Sequence, residues 1–182
     1  MSSILNRLVD HIGRNVPITL CSSPEGLDML VLADLVRRLA RSADERPATL
    51  VMVAQDGQRQ AQIESGLAFV APDVEVLSFP NWDCQPYDRV SPHAGLVARR
   101  MLVLSRLART RVGAERPRLL VVTANGLLQK VPRREKVSAE SFSCAPGHMV
   151  DVQDLAAWLE HNGFTRGTTV RETGDYAVRG GI

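Results

Sequence analysis

The residues best placed to do chemistry are Cys21-Ser-Ser-Pro-Glu-Gly26-Leu27-Asp28, where a short apolar run gives way to a helical pattern. A loop that grips a triphosphate reads G-x-x-x-x-G-K-[ST]. Its backbone N–H groups cradle the phosphates, its lysine reaches the β- and γ-phosphates, and its hydroxyl holds Mg²⁺. Cys21 stands at the first position of that template and Gly26 fits the second glycine, but Leu27 replaces the lysine and Asp28 the hydroxyl. Pro24 removes one backbone donor. Glu25 and Asp28 bring two negative charges to the place a polyanion would occupy, a like-charge contact that costs kcal/mol in a partly buried site. A helix N-terminus there still attracts a small anion such as sulfate. The turn is therefore expected to be a degenerate, inactive nucleotide loop, with neither ATP nor Mg²⁺ held by this chain.

A second candidate is Ser78-Phe-Pro-Asn-Trp-Asp-Cys-Gln-Pro-Tyr-Asp-Arg-Val-Ser-Pro-His93, the densest mixture of aromatic, acidic and proline residues. Asp83, Cys84, Asp88 and His93 compose a hydrolase-like or metal-binding set on paper. Cys–His catalysis, however, needs a base within hydrogen-bond reach, which sequence adjacency does not supply. The structural reading is favoured: prolines stiffen the loop, and Trp82 and Tyr87 roof a sheet edge. A third candidate is the row Arg99, Arg106 and Arg109, spaced i, i+7 and i+10 on one predicted helix. Such a stripe is more often a solvated face than a phosphate-binding one, so weak DNA contact is the lesser expectation. His11, His148 and His161 show no metal-ligand spacing, and Cys144 reads as a small core residue.

The elements that position these residues follow from patterning. The 182 residues are 45% hydrophobic and 23% charged, the balance of a globular chain. The net charge of +2 is too small to mark an obligate nucleic-acid binder, and 20 of the 22 basic residues are arginine, which reads as a compositional bias. Three cysteines with no C-x-x-C pair argue for a reducing compartment, and no run is long enough for a membrane helix, so a cytoplasmic location is expected. Apolar runs at Pro17–Cys21, Ala48–Ala54, Val74–Leu77 and Arg118–Thr123 read as strands, the continuous ones suited to a sheet covered on both faces. Helices are expected over Leu27–Arg41, opened by Ser23 and Pro24 and deeply buried in its first turns, over Gln55–Phe69, and over His93–Arg109 with Val97, Met101, Leu104 and Ala108 on one face. This alternation predicts an α/β fold, an open, mostly parallel sheet flanked by helices, over residues 1–130. A polar break at 131–136 opens a smaller α+β subdomain over 131–182, with a helix from Asp151 to Asn162 and strand-like Thr168–Glu172. The chain stops on Ile182 with no cap or polar tail, from which a piece of a longer protein with a shortened second domain is expected.

The stretch Phe79-Pro-Asn-Trp-Asp-Cys-Gln-Pro-Tyr-Asp-Arg-Val-Ser-Pro-His93 with Arg99-Arg100-Met-Leu-Val-Leu resembles a signature of the bacterial transcription-repair coupling factors, the Mfd family. Val121-Val-Thr-Ala-Asn-Gly-Leu-Leu-Gln-Lys-Val131 and Gly174-Asp-Tyr-Ala-Val-Arg-Gly-Gly-Ile182 resemble two further motifs, in the same order. The excision-repair protein UvrB shares the domain plan, but it carries an intact nucleotide loop and a long DNA-clamping hairpin. Here only eleven residues separate Tyr87 from Arg99, too few for such a hairpin.

The resemblance implies an N-terminal, UvrB-like module that is not itself an enzyme. The ATP-driven DNA translocase motors, with their ATP and Mg²⁺, and the RNA polymerase contacts belong to other parts of the parent. It further implies UvrA as partner, with Arg179 at the first arginine of the family's UvrA-contacting surface. An arginine between Tyr176 and two glycines can present a planar fork to a partner carboxylate; the alternative is a local pair with Asp175 or Glu172. The other functional class left open is a nucleotide-dependent, UvrB- or helicase-type DNA-binding domain.

Overall fold

The computed structural model describes residues 2–13, 17–21, 24, 26–42, 49–84, 89–109 and 116–179. Two compact units interleave along the chain, one formed by residues 1–81 with 110–129 and the other by 82–109 with 130–182. The sequence reading divides the chain once, at 130/131, whereas here residues 82–109 group with 130–182.

In the first unit, strands β1 (Thr49–Ala54), β2 (Glu75–Phe79) and β3 (Arg118–Thr123) form a parallel sheet in the order β1-β3-β2. Leu120 of β3 pairs with Val51 on one side and Leu77 on the other. The unbroken Leu-Leu-Val-Val run makes β3 the central strand, buried along nearly its whole length. Helices α1 (Ser2–Gly13), α2 (Leu27–Ser42) and α3 (Gly57–Val70) belong to the same unit, with α1 against α2 and α2 against α3. Asp56 caps α3 by accepting the Arg59 N–H at 2.7 Å, which satisfies a donor the helix cannot use internally. The core joins Ala33 and Val36 of α2 and Ile63 and Leu67 of α3 to Leu119 and Val121 of β3. The open α/β sheet flanked by helices is thus the observed architecture.

Several expectations need correction. Residues 17–21 form no strand; Pro17 brings no ladder donor, and Ile18 and Leu20 stay exposed. Among the described residues β1 is an edge strand with one open face, where Val51 and Val53 are 47% and 44% exposed, so its continuous apolar run did not mean two-sided cover. α2 begins at Leu27, beyond Pro24, and its first turn is only half buried; its core residues are Ala33, Leu35 and Val36.

The second unit contains α4 (Ala94–Ala108), α6 (Arg134–Ala139), α7 (Val152–His161) and the short parallel strands β4 (Thr165–Arg166) and β5 (Asp175–Tyr176); α5 (Ala124–Leu128) lies in the first unit. α6 begins within the expected polar break and packs on α4. Asp151 caps α7 through the Gln153 and Asp154 N–H groups, and Gly163 at φ 82° ends it. Trp158 packs with Phe142 and Phe164, ring centroids 5.6 and 6.4 Å away. Residues 168–172 are not a strand, because the Asp175 carboxylate accepts the Arg171 and Glu172 N–H groups that a ladder would need. Cys144 is exposed rather than in the core. No helix among the described residues is long and apolar enough to cross a membrane.

Candidate functional site

At the nucleotide-loop remnant, Gly26 takes φ 85°, a conformation that glycine adopts without strain. The Leu27 N–H donates to the Pro24 carbonyl at 3.1 Å. A donor that would face a phosphate is therefore turned back onto the chain. Asp28, in the first turn of α2, pairs with Arg59 near the start of α3, and Arg59 donates again to Gln62 Oε1 at 3.0 Å. The other Asp28 oxygen is buried and has no hydrogen-bond partner among the described residues. The position that holds Mg²⁺ through a hydroxyl in the template is here a carboxylate committed to an internal cation. Cys21 is exposed, and Ser22, Ser23 and Glu25 lie outside the described residues. Arg59 was not foreseen, since nothing local connects it to a residue 31 positions earlier.

The loop after β2 acts as a set of clasps. In the first unit, Asn81 Oδ1 accepts the Thr123 hydroxyl at 2.5 Å, and Thr123 Oγ1 accepts the Gly126 N–H at 3.2 Å, capping α5. In the second unit, Asp83 accepts the His93 N–H at 3.2 Å, and His93 Nδ1 accepts the Gly95 N–H at 3.1 Å. The imidazole therefore caps α4, an arrangement that favours the structural reading. Tyr87 and Asp88 lie outside the described residues. Trp82 stacks on the Arg100 guanidinium, 4.0 Å from ring centroid to carbon. Arg100 is 2% exposed, and burial lowers its pKa from the ordinary guanidinium value.

The four apolar residues expected on one face of α4 divide, Ala108 being buried and Leu104 half-buried while Val97 and Met101 are exposed. The helix buries Arg100, Val103 and Ala108. Arg99, Arg106 and Arg109 are exposed.

Arg179 follows β5 and is exposed. Its Nη2 donates to the Thr168 carbonyl at 3.1 Å and the Thr169 hydroxyl at 3.3 Å, and not to Asp175 or Glu172, the alternative pairing. Asp175 instead organises the preceding turn. Tyr176 donates its hydroxyl to Glu160 of α7 at 2.6 Å, which fixes β5 to the helix. A cleft of about 710 Å³ is lined by His93, Gly95 and the 170–175 segment. Gly180, Gly181 and Ile182 lie outside the described residues. Among the described residues, no group of three His, Cys, Asp or Glu side chains gathers to hold a metal ion.

No protein-family model matches the chain. Among curated proteins, a transcription-repair-coupling factor of Rickettsia prowazekii is 30% identical over 132 residues, 72% of this chain and 11% of the relative. The factor of Escherichia coli is 25% identical over 144 residues, 79% of this chain and 12% of the relative. That of Mycobacterium tuberculosis is 29% identical over 161 residues, 87% of this chain and 13% of the relative. The chain is homologous to transcription-repair coupling factors. It spans little more than a tenth of the length of these coupling-factor relatives.

Proposed function

We propose that the chain is the N-terminal, UvrB-like interaction module of a transcription-repair coupling factor, which performs no chemistry itself and recruits UvrA of nucleotide excision repair. RNA polymerase and DNA contacts, and ATP- and Mg²⁺-driven DNA translocation, belong in this reading to the remainder of the coupling factor, and the module works in the cytoplasm. The observation that carries the docking reading is Arg179, an exposed guanidinium pinned through one nitrogen to the Thr168–Thr169 turn. Pinning lowers the entropy lost when the rest of the planar fork meets a carboxylate. The non-catalytic reading is supported by Leu27 and by the commitment of Asp28 to Arg59.

Two measurements test the proposal. Capture of the full 182-residue chain on immobilised UvrA is expected to fall about tenfold or more with Arg179→Glu, the loss of roughly one charge-assisted hydrogen bond. The thermal midpoint should hardly move, because Arg179 is exposed. Unchanged capture overturns Arg179 as a contact. Calorimetric titration with ATP and Mg²⁺ is expected to give no binding; micromolar affinity would establish the nucleotide-dependent DNA-binding alternative instead.

A further inference from the structure

Helix α3 carries two charged residues, Arg59 and Glu64. Arg59 is committed to Asp28 and Gln62. Glu64 lies about 100° round the helix from Ser65. At that rotation per residue, Gln58, Gln62, Ser65 and Phe69 fall within about 60° of one another. All four are exposed, so they make an uncharged stripe along the outer side of the helix. Phe69 ends the stripe in the last turn, 87% exposed. A groove of about 570 Å³ runs beside its first turns, lined by Gln58, Arg59, Ala61, Gln62 and Ser65 and walled by Met29 of α2. Met29 reaches this place because Gly66 has no side chain; a Cβ there would collide with the thioether sulfur. The protruding ring and the groove thus share one helix face, with Phe69 seven residues, roughly 10 Å, beyond Gln62.

We infer that this face of α3 binds a second copy of the chain. Two α3 helices pack antiparallel about a two-fold axis at Ser65, and each Phe69 enters the other copy's groove beside Met29. Antiparallel pairing about Ser65 sets position 69 opposite position 61, where alanine leaves room for the ring. Both ends are satisfied by the same surface, the condition for an isologous interface that closes. A phenyl ring against a thioether adds a favourable sulfur–aromatic contact. Charge selects the occupant. A two-fold axis sets the stripe against itself, so a charged residue on it would face its like, and the stripe has none. A phosphate backbone needs cations, and the one guanidinium beside the groove is held by Asp28 and Gln62. One helix pair covers less than the roughly 800 Å² per partner of a standard interface, so the dissociation constant is on the order of 10–100 µM. The face lies in the first unit and does not depend on the docking proposed at Arg179.

Sedimentation equilibrium of the full chain between about 1 and 300 µM tests the proposal and is expected to show reversible dimers. Phe69→Ser is expected to weaken association at least tenfold. Ser65→Arg, which sets like charges together at the axis, is expected to abolish it. Arg179→Glu should leave it unchanged. Circular dichroism confirms that these exposed-site variants remain folded. Cross-linking then locates the axis, in a chain whose Cys21, Cys84 and Cys144 are replaced by serine. Under mild oxidation Ser65→Cys is expected to give a disulfide-linked dimer, and Glu64→Cys, on the neighbouring face, is not. A chain that stays monomeric across the range overturns the proposal, as does a dimer that ignores both Phe69→Ser and Ser65→Arg. A monomeric chain whose capture by UvrA falls with Phe69→Ser makes the stripe a contact for that protein instead.

Discussion

Gly126 does not need glycine's conformational freedom; it needs glycine's size. A Cβ at this position would lie 2.7 Å from Asn81 Oδ1 and 3.0 Å from Val122 Cγ2. Asn81 is already held by the Thr123 hydroxyl, which also caps the short helix α5, so Asn81 cannot move without breaking the clasp. Gly126→Ala is therefore expected to destabilise the protein by about 1–3 kcal/mol, the usual result of overpacking. The control is Gly57→Ala, where an added Cβ meets nothing within 4 Å. A urea midpoint unchanged by Gly126→Ala would show that the Asn81 clasp is not made. The sequence marked Asn81 only as one member of an unusual loop. Its bond to a residue 42 positions later depends on two parallel strands ending side by side, which no local pattern announces. The Asp28–Arg59 pair was hidden for the same reason, although the loss of lysine and hydroxyl beside it was plain from residue types alone.

At the scale of elements, Gln60 ties helix to sheet. Its Nε2 lies 3.0 Å from Ser78 Oγ, 3.0 Å from the Phe79 carbonyl and 3.1 Å from the Val121 carbonyl. One buried amide thus holds α3 to the ends of both β2 and β3. Gln60→Leu retains a similar volume but removes the donor from these acceptors, at an expected cost of about 1–3 kcal/mol in chemical denaturation. Exposed Gln62→Leu, two residues further along α3, is expected to change stability by less than about 0.5 kcal/mol. Equal effects of the two substitutions would refute the tie. Most helices and the three strands of the main sheet were legible from apolar runs and periodicity, since burial imposes those patterns directly. The face of α4 was not legible, because Trp82 converts Arg100 into a core residue and so leaves Met101 outside. Polar side chains that serve as core, Gln60 and Arg100 alike, escape any reading based on hydrophobicity.

At the scale of the whole chain, the two compact units carry opposite pH sensitivities. In the first unit, the hydrogen bond from Arg37 holds the Asp73 carboxyl below its ordinary 3.8, with the two groups 2.5 Å apart. A lowered carboxylate pKa gives stability that is present above the ordinary value and lost as pH falls through the lowered one. The pair is largely exposed, so its contribution is about 0.2–1 kcal/mol. In the second unit, the hydrogen bond to Glu160 raises the Tyr176 phenol above its ordinary 10.0. Here the sign reverses: the stabilisation is complete below pH 10 and disappears as pH rises through the raised value. Both tryptophans, Trp82 and Trp158, belong to the second unit, so their fluorescence reports on that unit. In urea melts, Asp73→Asn is expected to flatten the part of the acid-limb decline due to this pair. Tyr176→Phe is expected to flatten the alkaline decline of the tryptophan midpoint above pH 10. An alkaline limb identical in wild type and Tyr176→Phe would mean that the phenol does not hold β5 to α7. The segment leading to Arg179 would then lack the anchor that fixes its turn against the helix.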